Sequence, residues 1–180
     1  IQEDYLVKII SSNLDDDKHF FFNNFEVNEI NMFKEAFFKN KTIKIISSIG
    51  LKINYDQKNN LMSLAQSKSN DWALILDSSL EDFQINFIGS NLLPSDDQDS
   101  KSRINGYGLT GCLNFYNVDF KNSVLTSSAG SCEDSINLVS SSGSLKKISV
   151  SKSYYDALDM DFSNLIINRL EINNSGNDCV

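Results

Sequence analysis

Four short segments in the second half of this chain repeat one pattern of residue types at a nearly constant interval. They begin at Gly111, Asp134, Asp156 and Asp178, so the intervals are 23, 22 and 22 residues. A fixed interval of this length is typical of a solenoid, in which each repeat buries its apolar face only against its neighbours. A repeat of 22 residues has room for short strands and turns, but not for a helix as well. The interval therefore predicts an all-β fold of stacked coils, a parallel β-helix.

A second pattern places apolar residues at positions i, i+3 and i+5. It occurs four times, beginning at Leu80, Phe115, Leu145 and Ile167. The final pair, two residues apart, predicts a strand whose alternate side chains point inward. We therefore expect at least two short strands in each coil, separated by turns of Asn, Ser and Gly.

The N-terminal part lacks this repeat and carries a different pattern. Residues 28–39 place Ile30, Phe33 and Phe37 at helical spacing, and Asn28 is available as an N-cap. An amphipathic helix here would cover the open apolar end of the first coil. The alternative, a helix at a membrane surface, needs a basic polar face, whereas this face mixes Glu, Asn and Lys. The sequence predicts an N-terminal capping helix.

These patterns divide the chain into two parts. Residues 1–71 are predicted to hold N-terminal strands and the capping helix, and residues 72–180 the β-helix coils. A polar loop is expected near residues 90–105, where the apolar pattern is interrupted. The chain begins at Ile1 without Met or a signal peptide and stops in mid-repeat at Val180. We therefore expect it to be part of a longer protein, exported or displayed on the cell surface.

Charge and hydropathy argue against a nucleic-acid partner and against a transmembrane segment. The chain has 24 acidic and 16 basic residues, giving a net charge of −8. A nucleic-acid-binding protein usually has the opposite balance, with Lys and Arg clustered on one face, so no nucleic-acid partner is expected. No run approaches the roughly 18 apolar residues of a transmembrane helix, so no transmembrane segment is expected either.

The three cysteines do not have the spacing of a metal site. Cys112 and Cys179 occupy the same repeat position three coils apart, roughly 14 Å at the spacing of stacked strands, which is too far for a disulfide. Cys112 and Cys132 lie on adjacent coils. They form either a disulfide, if the turn before Asp134 brings them together, or two small buried thiols.

The repeat segments resemble a known group of proteins. Residues 108–113, 132–137, 156–163 and 176–180 are similar to right-handed parallel β-helix repeats of the pectin-lyase-like superfamily, in particular bacterial members without an assigned activity. The resemblance implies a right-handed solenoid but no single reaction, since the superfamily contains lyases, hydrolases, epimerases and adhesins. Arg169, Lys152 and the single His19 match none of the catalytic motifs of those enzymes.

Stacked carboxylates are the strongest chemical feature of the sequence. Asp134, Asp156 and Asp178 share one repeat position, and a second column three residues later holds Asn114, Asn137 and Asp159. If they stack, neighbouring carboxylates stand about 5 Å apart, and their repulsion must be offset by backbone N–H donors, a bound cation or a raised pKa.

Three roles follow for these acidic groups. Asp134, Asp156 and Asp159 together could hold Ca²⁺, the one cofactor that the sequence suggests. Asp134, Asp156, Asp159 and Asp161 are candidates for the acid and base of glycoside hydrolysis. Glu133 joins the same four as a candidate polysaccharide-binding surface. The third role is that of turn-forming, solvated aspartates without a ligand.

The absence of a recognisable catalytic motif favours a non-catalytic module, structural or interacting with carbohydrate. The alternative is a polysaccharide-acting hydrolase or lyase. A solenoid whose last coil is uncovered is also expected to associate end to end.

Overall fold

The computed structural model describes residues 18–22, 25–30, 33–38, 43–90 and 109–180, and these residues form fourteen strands. The strands are β1 (Lys18–Phe22), β2 (Phe25–Ile30), β3 (Phe33–Phe38), β4 (Lys44–Ser48), β5 (Lys52–Asp56), β6 (Leu61–Ala65), β7 (Ala73–Glu81), β8 (Gln84–Ile88), β9 (Gly111–Ser128), β10 (Asp134–Val139), β11 (Ser142–Ser151), β12 (Asp156–Asp161), β13 (Asn164–Ile167) and β14 (Leu170–Asn173). The described part of the chain contains no helix. The prediction of an all-β fold is confirmed.

Parallel pairing between successive coils builds a β-solenoid of about 4 turns. Strand β9 pairs in parallel with β7 and β8 on one side and with β10 and β11 on the other. Strands β12, β13 and β14 then stack on β10 and β11, again in parallel. Leu113, Ile136 and Leu158 are paired in register and buried, as the 22-residue interval predicts.

The predicted capping helix over residues 28–39 is not confirmed, because the described backbone of this segment is extended. Strands β2 and β3 run through this segment and pair in antiparallel fashion, and β3 continues the antiparallel pairing to β4. Apolar residues within 28–39 fit a 3.6-residue spacing, whereas the start of β2 just before them, Phe25-Glu26-Val27-Asn28, alternates as a strand does. Pairing with β4 selects the extended form, since tertiary contacts override a weak local preference.

The apolar i, i+3, i+5 pattern is in register only for its last two copies. Leu145, Ile148 and Val150 pair with Ile167, Leu170 and Ile172. The copy that begins at Leu80 is offset from these two. Its last residue, Ile85, pairs with Leu125, and Leu125 pairs with Ile148, the middle residue of the copy that begins at Leu145. The β9–β11 register also shifts between Ser144 and Lys147, and sequence spacing alone does not reveal an irregularity of this kind.

The corners of the coils are built by residues in the left-handed backbone conformation. Asp77, Asn117 and Ser140 occupy one corner column with φ of 46°, 53° and 49°, and Phe162 continues it with φ of 52°. Asp and Asn tolerate this conformation better than other non-glycine residues because their short side chains hydrogen-bond locally. Asn117 Nδ2 donates to Asp77 Oδ1 at 2.7 Å. The abundant Asn, Asp and Ser therefore serve as corner residues.

The hydrophobic core is continuous along the solenoid. Ile45, Met62 and Leu64 from the strands before residue 72 lie in the same cluster of buried residues as Phe83 and Phe115. The proposed boundary between residues 71 and 72 stays a prediction about domains. The predicted polar loop near residues 90–105 lies almost entirely outside the described residues.

No described helix is long and apolar enough to cross a membrane.

Candidate functional site

The two polar columns predicted from the repeat are present in the sheet. Asp134 is paired with Gly111 on one side and Asp156 on the other. Three residues later, Asn137 is paired with Asn114 and Asp159 in the same way. Because parallel pairing in register stacks like positions at about 4.8 Å, the carboxyl groups of the last two coils lie close to one another.

Asp134 is the buried member of the first column. It is 4% exposed, and it accepts hydrogen bonds from the Thr110 hydroxyl and from Asn137 Nδ2, the latter at 3.4 Å. The pKa of Asp134 is raised from 3.8 to about 6, mainly by burial. The nearby Asp159 and Asp156 carboxyl groups also raise this pKa, and the hydrogen bonds from Thr110 and Asn137 lower it. The group therefore changes its protonation state near neutral pH.

Asn137 connects the two columns. Its Nδ2 lies 2.5 Å from Thr110 Oγ1, 3.4 Å from Asp134 Oδ2 and 3.3 Å from Asp159 Oδ2. Its Oδ1 is buried and has no hydrogen-bond partner. In the coil before, the equivalent Asn114 is satisfied, because its Oδ1 accepts from Gly111 N at 2.9 Å and its Nδ2 donates to Ala73 O and Gly111 O.

The remaining acidic residues differ in exposure and in their partners. Asp156 is half-buried, and its Oδ1 accepts hydrogen bonds from Asp178 N and Asn177 Nδ2, each at 2.9 Å. Asp159 is also half-buried, and burial together with the Asp161 and Asp156 carboxyl groups raises its pKa. Asp161 is exposed at the end of β12. Among the described acidic residues of the two columns, backbone N–H donors thus offset the repulsion between carboxylates at Asp156 and, through Met160 N, at Asp159.

A groove of about 280 Å³ opens over these columns. Its described walls are Thr110, Glu133, Asp134, Asp156, Leu158, Asp159, Asp178 and Val180. Four of the five predicted site residues line it, and Asp161 does not. Thr110 was not predicted from the sequence, and Asp178, which the repeat placed in the first column, was not predicted as a site residue.

The structure does not arrange the acidic residues as a metal centre. Among residues 43–90 and 109–180, no group of three or more His, Cys, Asp or Glu side chains is placed to hold a metal ion. A calcium site at Asp134, Asp156 and Asp159 therefore stays a prediction from the sequence, without support from this geometry.

A disulfide lies behind the groove. Cys112 and Cys132 are bonded, with their Cα atoms 5.3 Å apart, and this decides between the two alternatives left open by the sequence. Cys132 N also donates to Cys112 Sγ. Because Glu133 and Asp134 follow Cys132 directly, the bond fixes the start of the groove wall to the preceding coil. Cys179 is free and exposed.

A buried polar cluster around Gln66 supports this turn, and no sequence pattern indicated it. Gln66 is 8% exposed, and its Nε2 donates to Asp71 O at 2.8 Å and to Ser69 O at 3.2 Å. Its Oε1 accepts from Ser131 Oγ at 3.3 Å. The cluster thereby ties the turn after β6 to the turn that carries the disulfide.

Comparison with known protein families, with curated proteins and with solved structures found no match to this chain. The strand pairing shows a β-solenoid, and no relative supports the likeness of its repeats to the pectin-lyase-like superfamily.

Proposed function

We propose that this chain is a non-catalytic β-solenoid module that binds carbohydrate and belongs to an exported or surface protein. The groove over the polar columns is the observation that carries the proposal. It combines several convergent oxygen-bearing side chains with the apolar Leu158 and Val180 at its wall. A sugar presents hydroxyl donors to carboxylates and C–H surface to apolar side chains, so both kinds of wall suit it.

Export is supported by the disulfide between Cys112 and Cys132. Disulfides persist in oxidising compartments and are rare where thiols are kept reduced. The bond is placed to support the groove rather than to take part in chemistry, because Cys112 is fully buried. A secreted or cell-surface location follows as part of the proposal.

A second candidate function, glycoside hydrolysis, is favoured by one observation. The raised pKa of Asp134, about 6, is what a general acid needs near neutral pH, and Asp156 lies beside it as a potential base or nucleophile. A catalytic acid must reach the glycosidic oxygen, however, and Asp134 is 4% exposed and hydrogen-bonded to Asn137 and Thr110. This burial is why we prefer binding over catalysis. A lyase is favoured less, since the described groove walls contain no Arg or Lys to abstract a proton.

Right-handed winding is also part of the proposal. Connections between parallel strands of one sheet are right-handed in about 98% of cases, and the repeat segments resemble right-handed solenoids. We also propose that this chain belongs to the pectin-lyase-like superfamily.

Binding to an oligosaccharide panel, measured by calorimetry and paired with a reducing-end assay, tests the function. We expect binding by the native chain, weaker binding by Thr110→Val and Asp156→Asn, and no release of reducing ends. Asp119→Asn is the matched control, because Asp119 is exposed on another part of the coil and its only described side-chain bond is accepted from Ser142 Oγ. Release of reducing ends that disappears in Asp134→Asn would replace binding by hydrolysis. Absence of binding to every oligosaccharide would refute the proposal.

A further inference from the structure

Two tyrosines with exposed side chains form the turn that leads into β12. Tyr154 is 39% exposed and Tyr155 is 43% exposed. Their ring centroids are 4.6 Å apart, and the two rings are nearly perpendicular, at 88°. Because each ring restrains the other in this edge-to-face arrangement, the pair presents aromatic surface to solvent in a defined position.

The repeat aligns Tyr155 with two residues of the groove wall. Strands β9, β10 and β12 are paired in register from their first residues, so the residues directly before them, Thr110, Glu133 and Tyr155, occupy one position in three successive coils. Thr110 and Glu133 both line the groove, whereas Tyr155 is not among its described walls. Since stacked coils are about 4.8 Å apart, Tyr155 continues this row one coil beyond Glu133, beside the groove.

Hydrogen bonds from the last coil connect the tyrosine turn to the groove wall. Asn177 N donates to Tyr155 O at 3.1 Å, and Asn177 Nδ2 donates to Asp156 Oδ1 at 2.9 Å. Gly176 N also donates to Tyr155 O at 3.1 Å. A Cβ at Gly176 would lie 1.9 Å from Tyr154 O, so this position requires glycine and places no side chain beside the tyrosines. The turn is therefore held against the groove while its aromatic rings stay exposed.

An exposed aromatic ring suits the face of a sugar ring. The aromatic face is electron-rich and attracts C–H groups, and a pyranose with equatorial hydroxyls presents C–H groups on both of its faces. Tyrosine makes such contacts at low entropic cost, because its side chain has only two χ angles. The groove itself has a volume of about 280 Å³, at the low end for ligand pockets, so an oligosaccharide bound there extends beyond it.

We propose that Tyr154 and Tyr155 form a second sugar subsite, on which the unit next to the one in the groove packs its C–H face. The ligand class is a neutral oligosaccharide of pyranose units with equatorial hydroxyls, such as a β-1,4-linked glucan. An acidic chain is disfavoured, because the described groove walls carry five carboxyl groups. This inference rests on the proposed function, since it extends the same groove and names the class of its ligand.

Titration followed by protein NMR, with three ligands, tests the inference. The ligands are glucose, the β-1,4-linked glucose tetramer and a galacturonate tetramer. We expect the glucose tetramer to bind at least about fivefold more tightly than glucose, because one aromatic contact is worth about that factor. The glucose tetramer should also bind more tightly than the galacturonate tetramer.

Variants of the tyrosine pair separate ring contact from a general effect on the fold. Tyr155→Ala should weaken binding of the glucose tetramer about fivefold and leave the affinity for glucose unchanged. Tyr155→Phe keeps the ring and should bind the tetramer within about twofold of the native chain. Phe162→Asn is the matched control, because Phe162 is also an exposed aromatic residue but follows the opposite end of β12. It should bind as the native chain does.

The results that would overturn the inference are distinguishable from failure of the proposed function. Equal tetramer affinities of Tyr155→Ala and the native chain would refute the subsite and leave binding in the groove standing. An equal loss in Tyr155→Phe or in Phe162→Asn would refute contact through this ring. Equal or tighter binding of the galacturonate tetramer would refute the neutral ligand class. Failure of all three ligands to bind would refute the inference, and failure of the wider oligosaccharide panel as well would refute the proposed function.

Discussion

Removing the buried charge of Asp134 should change how the stability of this protein depends on pH. Asp134 is 4% exposed, and its pKa of about 6 in the folded chain lies above the value of 3.8 that applies when it is exposed. Between these two values the folded state binds more protons than the unfolded state, so the free energy of unfolding falls as pH rises. The stabilisation is fully present below about pH 4 and is lost as pH rises through about 6.

The size of the effect follows from the difference in pKa. A difference of about two units corresponds to about 3 kcal/mol, and we expect about 2 kcal/mol because water in the open groove screens part of it. Asp134→Asn removes the ionisable group but keeps an acceptor for Thr110. The variant should therefore be about 2 kcal/mol more stable than the native chain at pH 7 and about equally stable at pH 4.

Urea unfolding followed by circular dichroism, at half-unit steps from pH 4 to pH 7.5, measures this difference. The groups whose pKa is lowered, Asp56 and Glu171, contribute equally to both proteins and cancel in the difference. Asp119→Asn controls for net charge and should give a profile parallel to that of the native chain. Parallel profiles for Asp134→Asn and the native chain would refute the reasoning, because they would mean that Asp134 carries no unfavourable buried charge.

Three further predictions test the solenoid itself. Phe162 has φ of 52° and is 92% exposed, so Phe162→Asn should raise the free energy of unfolding by about 1 kcal/mol. Phe162→Leu keeps the backbone strain and should not raise it. Equal stability of the two variants in thermal unfolding would contradict this prediction. Cys112→Ser should destabilise the protein by about 3 kcal/mol, because it loses a cross-link that spans 20 residues. Cys179→Ser, the matched control, removes a free cysteine and should change stability little. Similar melting temperatures of the two variants would count against a structural role for the disulfide. Among the described strands, β12, β13 and β14 each pair with a single strand, and Ile166 of β13 is 67% exposed at this edge. Sedimentation should therefore show concentration-dependent association that Ile166→Lys reduces. A monomer at all concentrations would contradict this prediction.

The repeat in the sequence determined the stacked coils, the inward column of Ile136 and Leu158, and the alignment of Asp134 with Asp156. These follow from sequence because a solenoid contacts only its neighbours, so a 22-residue interval is also a spatial register. The residue types at the corners of the coils could be predicted for the same reason, since Asn and Asp tolerate the left-handed backbone conformation at each corner where they recur.

Tertiary structure decided what the interval does not encode. Residues 28–39 also fit a helical period, but antiparallel pairing of β3 with β4 favours the extended conformation there, because the local preference is weak compared with strand pairing. The choice between disulfide and thiols depended on the turn that brings Cys132 beside Cys112. The burial of Asp134, and with it the raised pKa and the unpartnered Asn137 Oδ1, came from packing between coils. Identical residues at one repeat position thus acquire different chemistry because desolvation is a property of the environment, not of the residue.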